Sequence, residues 1–164
     1  MKQLDEYNTF NYLGKKYLST VEYKKIQVHL VYYVNYDGFH KTRFVAIGHL
    51  TDIPVESVYS GVASLHGICL LVFLVGLSLK KTWPTDIGIP YLEAKILEKV
   101  YIIAWTEFGN REVHFLIVAR AFYGLQSAGV CWHERFDGCI RDMVFSICKL
   151  ETGIWILHNG YIYI

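Results

Sequence analysis

Residues 57–79 contain no Asp, Glu, Lys or Arg, and Lys80-Lys81 closes the run. A stretch of about 20 apolar residues can span a bilayer. The same stretch can form a helix buried on most sides within a protein core. Pro54 restarts the chain ahead of it, and Ser60 offers a side-chain oxygen to cap a helix near 61–79. Gly61, Ser64, His66, Gly67, Gly76 and Ser78 dilute the apolarity. That dilution favours the buried helix over a membrane anchor at 57–79, which stays as an alternative.

The rest of the chain can supply such a core. Of 164 residues, 53% are hydrophobic and 19% charged. That excludes a disordered chain, because enough apolar surface exists to offset chain entropy. The length suits one ordinary domain. Sixteen Lys and Arg face 15 Asp and Glu, so a strongly basic nucleic-acid binder is excluded and any such contact must come from a local patch. Cys69, Cys131, Cys139 and Cys148 form no Cys-x-x-Cys pair, and the seven histidines lack zinc-finger spacing. The start, Met1-Lys2-Gln3-Leu4-Asp5-Glu6, has early charge and no apolar segment. It does not read as a secretory signal, so an intracellular protein with reduced, buried thiols is expected.

Residues 1–25 are polar and tyrosine-rich without a clear period and read as a poorly defined lead-in. Ile26-Gln27-Val28-His29-Leu30 alternates as a half-buried strand does. Asp37-Gly38 reads as a two-residue hairpin turn. The return strand, Lys41-Thr42-Arg43-Phe44-Val45-Ala46, puts Lys41 and Arg43 on one face. Pro84 argues for an edge or irregular strand ending at Asp86-Ile87. A short helix is expected over 91–99, and strands over 100–103 and 114–118. An amphipathic helix over 129–143 gathers Val130, Phe136, Ile140 and Met143 near one face. Asn159-Gly160 is a second hairpin turn, between 154–156 and 161–164. The chain stops inside that last strand, so its end reads as cut. Strands and helices without regular alternation indicate an α+β fold.

No Walker loop, dinucleotide fingerprint, nucleophile elbow or zincin motif is present. Asp86 at the end of an apolar strand is the one placement that suggests catalysis, since a carboxylate there needs a cation, a donor or water. Taken alone it reads more readily as a cap on the next turn. Lys41 and Arg43 can be a solvated strand face, and Tyr91 a core aromatic. Trp132 and Phe136 read as core, and His114 and His133 as surface or satisfied histidines.

Four blocks in register give these residues another meaning. Phe39-His40-Lys41-Thr42-Arg43-Phe44-Val45-Ala46-Ile47-Gly48-His49 resembles the Lys-x-Arg-Leu-Val-Ala-x-Gly fingers strand of copia-type retrotransposon reverse transcriptases. Asp86-Ile87-Gly88-Ile89-Pro90-Tyr91-Leu92-Glu93-Ala94 resembles their first catalytic block, Asp-Val-x-x-Ala-Phe-Leu-x-Gly, and Glu98-Lys99-Val100-Tyr101-Ile102 the strand that follows. Ala121-Phe122-Tyr123-Gly124-Leu125-Gln126-Ser127-Ala128-Gly129 resembles the Leu-Tyr-Gly-Leu-Lys-Gln-Ala-Pro block, continued by Trp132-His133-Glu134-Arg135-Phe136. The resemblance covers roughly 24–164.

It implies a mixed or antiparallel sheet with packed helices, a partial fingers–palm domain over 26–164. It also implies RNA-directed DNA polymerisation, in which two divalent metals, Mg²⁺ or Mn²⁺, serve nucleotidyl transfer. Asp86 would be one metal ligand and the Ile87 carbonyl another. Lys41 and Arg43 would meet the triphosphate, and Tyr91 would lie under the sugar and exclude a 2′-hydroxyl. Tyr123, Gly124 and Gln126 fall in a nucleotide-binding block, with Gly124 allowing close backbone approach. The implied partners are an RNA or DNA template–primer, a deoxynucleotide and the rest of a polyprotein, with no membrane. The implied location is the cytoplasm, a virus-like particle or the nucleus.

The departures are specific. No Asp-Asp pair exists in the sequence, whereas the family's aromatic-x-Asp-Asp hairpin supplies two more carboxylates. The chain alone is therefore expected not to polymerise. Pro90 and Ala94 replace small residues of the first block, and Pro84 removes a backbone donor just before Asp86. Gln126 stands where a cation is usual, and Gly153 where an Asp is common. Ile68, Cys69 and Val75 replace outer-face charges in the helix near 61–79. An exposed strand edge at 161–164 predicts poor solubility. Two other readings remain: a non-catalytic nucleic-acid-binding module using Lys41, Arg43 and nearby aromatics, and the membrane anchor.

Overall fold

The computed structural model describes residues 2–15, 22–47, 61–157 and 162–163. They fall into two compact units: 1–58 with 89–132, and 59–88 with 133–164. Helices and mixed sheets give an α+β fold.

The first unit is built on a sheet of order β1-β6-β5-β2, from β1 (Phe10–Gly14), β2 (Lys24–Lys25), β5 (Val100–Ile103) and β6 (Phe115–Val118). β6 pairs antiparallel with β1 and β5, and β2 runs parallel to β5. The expected strands over 100–103 and 114–118 are thus β5 and β6. Buried Val100, Ile102, Leu116 and Val118 line the core, where Phe10, Phe44, Phe108 and Phe122 pack edge-on around one another. Trp105 stacks on Phe44 with centroids 5.7 Å apart.

The reading of 1–25 as a lead-in without order misses α1 (Lys2–Glu6) and β1. Leu4 and Phe10 are buried in the core. The Asp5 carboxylate accepts from the Tyr12 hydroxyl and from Arg111, whose guanidinium lies 4.2 Å from the Tyr12 ring centroid. Those hydrogen bonds hold Asp5 below the usual carboxylate range, the one from Tyr12 first. Burial, then Asp5, pushes the Tyr12 phenol up to about 12. These contacts span much of the sequence, so no local period announces them.

β3 (Val28–Val34) and β4 (His40–Ala46) form an antiparallel hairpin. Its loop is Tyr36, Asp37 and Gly38, not a two-residue turn. The Asn35 and Phe39 backbones bond, Gly38 N–H donates to Asn35, and Gly38 takes φ 81°. This is a type I turn followed by a left-handed glycine. Asp37 accepts from the Phe39 N–H at 3.0 Å.

α3 (Pro90–Glu93) is shorter than the helix expected over 91–99, because Ala94 is already extended and Lys95 bridges to Arg120. α4 (Ala128–Asp142) matches the expected amphipathic helix, and the chain passes from the first unit to the second within it. Ile140 is buried, but Met143 lies past the helix end and is exposed. The helix closes with Phe145 N–H on Ile140 and Val144 N–H on Arg141, which puts Val144 at φ 67°.

In the second unit, β7 (Ser146–Ile147), β8 (Trp155–Leu157) and β9 (Ile162–Tyr163) form an antiparallel sheet in that order. The β8–β9 pairing fits a hairpin; its predicted turn, Asn159-Gly160, lies outside the described residues, as do Gly48, His49, Pro54 and Ser60. The charge-free run forms α2 (Leu65–Leu77), capped by Ser64, whose oxygen accepts from the Gly67 N–H. Glu151 in turn accepts from the Ser64 hydroxyl at 2.5 Å and from its N–H at 3.3 Å. The hydrogen bond from the Ser64 side chain holds the Glu151 carboxyl below its ordinary range. A Cβ at Gly67 would meet Glu151 at 2.9 Å, and one at Gly153 would overlap the Ala63 backbone. An Asp at 153 has no room here, which explains that departure locally.

The expectation of a buried helix is overturned. Leu65, Ile68, Leu70, Val72, Phe73, Leu74 and Leu77 of α2 are all exposed, Leu65 by 73%. The apolar residues surround the helix, so no single contact could cover them. At 13 residues α2 is about 20 Å long, short of a hydrocarbon core of about 30 Å. Among the described residues no helix is long and apolar enough to cross a membrane.

Candidate nucleotide-binding site

The β3–β4 register places Val31 opposite Arg43 and Tyr33 opposite Lys41. Alternation therefore sets Lys41, Arg43 and Tyr33 on one face, as expected for the two cations. The root of β4 is fixed by Phe44 and Ala46, both buried, while Lys41 and Arg43 stay exposed.

Tyr123 reaches this face because its carbonyl accepts from the Ala46 N–H at 2.7 Å. Gly124 makes that docking possible. It has φ 88°, and a Cβ there would overlap the Ala46 carbonyl oxygen. The close approach that Gly124 allows is thus to the β4 backbone. The Arg43 guanidinium carbon lies over the Tyr123 ring at 4.9 Å and over the Tyr33 ring at 4.7 Å. Tyr91 meets Tyr123 edge-on with centroids 4.8 Å apart.

Two hydrogen bonds, one from a backbone N–H and one from a guanidinium, bring Tyr91 to Tyr123. Ala121 N–H donates to Ala94 at 3.0 Å, and Arg120 donates to the Glu93 carbonyl at 3.1 Å. Glu98 then fixes the start of α4, accepting from both the N–H and the hydroxyl of Ser127. Gln126 is half-buried just before it. At Ile89, the residue before α3, the backbone adopts φ 54°, a strained conformation for a β-branched residue.

Lys41, Arg43, Tyr91, Tyr123 and Gly124 therefore sit within one unit, and the contacts join three of them in a row: Arg43, Tyr123, Tyr91. Sequence reasoning missed Tyr33 and Glu98. Counting back from the Asp37-Gly38 turn could have found Tyr33, diagonal to Arg43. Glu98 gave no local signal, since its partner lies 29 residues on.

Asp86 and Ile87 belong to the second unit. The expected strand is absent there: 80–88 has no regular structure and Asp86 is exposed. Pro84 lacks the N–H that a ladder needs. Among the described residues no group of three or more His, Cys, Asp and Glu could hold a metal ion. One carboxylate and one carbonyl do not fit a pair of divalent cations, each of which needs several hard oxygen ligands.

A profile of the reverse transcriptase (RNA-dependent DNA polymerase) family matches residues 15–163. The chain belongs to that family. It is of copia type, as its relatives show: the Transposon Ty1-NL2 Gag-Pol polyprotein of Saccharomyces cerevisiae is 32% identical over 121 residues. The Ty1-DR4 Gag-Pol polyprotein of the same yeast gives the same identity. The match covers 70% of this chain and 6% of the Ty1-NL2 polyprotein, or 7% of Ty1-DR4. The chain thus spans a small part of the curated relatives' length. No solved structure matches it. The family works with divalent metals.

Proposed function

We propose that this chain is a partial fingers–palm domain of a retrotransposon reverse transcriptase, over 26–164, whose first unit receives the incoming deoxynucleotide. Lys41 and Arg43 meet the triphosphate, Tyr91 lies under the sugar, and Tyr123, Gly124 and Gln126 border the nucleotide. The supporting observation is the contact row Arg43–Tyr123–Tyr91, which joins three sequence blocks far apart in the chain. Cations supply charge-assisted bonds to phosphate oxygens. A ring under the sugar edge has no room for a 2′-hydroxyl.

Asp86 and the Ile87 carbonyl are the proposed metal-facing groups, but too few on their own. Nucleotide addition onto an RNA- or DNA-templated primer then needs further carboxylates beside these two groups. The setting is a polyprotein inside the cell, in the cytoplasm, a virus-like particle or the nucleus.

Calorimetric titration with deoxynucleoside and ribonucleoside triphosphates tests this reading. Arg43→Gln weakens binding of both by about tenfold or more, and Tyr91→Ala narrows the preference for the deoxy form. Equal binding by wild type and Arg43→Gln would end the proposal.

A second reading has its own support. Tyr36 and Phe39 are exposed at the loop end of the hairpin that carries Lys41, and aromatic rings beside cations suit single-stranded nucleic acid. An oligonucleotide titration across salt separates the two: affinity falling steeply with salt, with no triphosphate binding, favours this one.

A further inference from the structure

We propose that Tyr33 is a positioning residue for Arg43, holding the guanidinium over an aromatic ring so that its charge and donors stay free for an oxyanion. This rests on the reading of Lys41 and Arg43 as a triphosphate contact. Arg43 is exposed, and a free arginine side chain has many rotamers to lose when it is held in one place. Proteins usually fix such a side chain with a carboxylate, which also neutralises it. Among the described residues the Arg43 side chain makes no ion pair and no hydrogen bond. Its partners are the Tyr33 ring at 4.7 Å and the Tyr123 ring at 4.9 Å. A ring attracts the cation through its quadrupole and consumes none of the five N–H donors.

The two rings come from different elements. Tyr123 is set by the Ala46 backbone, and Tyr33 by the hairpin register, one diagonal step from Arg43 and directly opposite Lys41. Tyr33 is half-buried, so its ring is more restrained than the cation it holds. Lys41 lies on the same face, and its like charge makes an arriving polyphosphate more favourable still. Tyr33 touches no ligand in this scheme; it acts by limiting where Arg43 can point.

The test titrates the full chain with inorganic tripolyphosphate by calorimetry, with folding followed by circular dichroism. Tyr33→Phe keeps the ring and is expected to bind within about twofold of wild type. Tyr33→Leu keeps apolar bulk without a π face and is expected to bind about three- to fivefold more weakly at unchanged Tm. Should Tyr33→Leu bind as wild type while Arg43→Gln does not, the positioning role falls and the triphosphate site stands. Should wild type fail to bind, or Arg43→Gln bind equally, the underlying reading falls and takes this one with it. Should Tyr33→Leu not fold, the Arg43 side-chain protons decide. Nuclear Overhauser contacts from those protons to the Tyr33 ring, with and without tripolyphosphate, support the role, and their absence overturns it.

Discussion

The β3–β4 hairpin and helix α2 are both rich in apolar residues, and the protein treats them in opposite ways. The hairpin alternates, so its register delivers Phe44 and Ala46 to the core and leaves Lys41 and Arg43 outside. α2 carries apolar residues all round, and of its thirteen residues only Gly67 is buried. A periodic pattern specifies which face is covered, whereas an unpatterned apolar run specifies none. Hydrophobicity decides how much surface wants burial; pattern decides whether the chain itself can provide it.

The largest test of that difference is Phe44→Ala. Phe44 touches Phe10, Trp105, Phe108 and Phe122, so its loss should destabilise the first unit by about 3–5 kcal/mol in urea unfolding. The matching change in α2, Phe73→Ser, should alter stability by no more than about 0.5 kcal/mol and raise solubility, since the ring is 60% exposed. A comparable loss from both would show that α2 is packed in solution and remove the contrast.

Next in size is Gly124→Ala. The left-handed backbone costs about 1–2 kcal/mol for any residue with a Cβ, and the overlap with the Ala46 carbonyl adds to it. The expected result is a lower urea midpoint and weaker nucleotide binding together, because Tyr123 loses its seat on β4. Gly138, which has open space around it, serves as control. Equal effects at the two positions would break the link between hairpin and ring.

These residues also show what could be read from the sequence. Strands β5 and β6, helix α4 and the common face of Lys41 and Arg43 follow from local periods and were legible. α1 and β1 were not, because Phe10 finds its partners at Phe44, Phe108 and Phe122. The loop of three residues needed the Asn35–Phe39 pairing, which composition does not reveal. The exposure of α2 and the irregular course around Asp86 likewise depend on what the rest of the chain covers. For the site, the residue types were legible through family resemblance. The Arg43–Tyr123–Tyr91 row was not, since a hydrogen bond from Ala46 to Tyr123 builds it.

A pH experiment probes the one described device that holds the start of α2. Glu151 has its folded pKa lowered by the Ser64 hydroxyl. A depressed carboxylate contributes stability above its unfolded pKa and loses it as pH falls through the folded value. Protection of the Gly67 amide against hydrogen exchange should therefore hold at neutral pH and decline below the usual carboxylate range. Glu151→Gln should remove that dependence and leave hairpin amides unchanged. Parallel loss in the hairpin would mean that acid acts on the whole fold rather than on this cap.

The smallest effect sharpens the comparison from the helix ends. α2 and α4 close alike, with Leu79 at φ 52° and Val144 at φ 67° where glycine is ordinarily found. Leu79 and Val144 are both exposed, so neither side chain repays its backbone strain through packing. Val144→Gly should stabilise the second unit by about 1 kcal/mol. Leu79→Gly should do less, because α2 makes few buried contacts to convert a better cap into cooperative stability. Equal gains at both ends would show that α2 unfolds together with α4, and that an exposed apolar helix can still share in the unit's cooperativity.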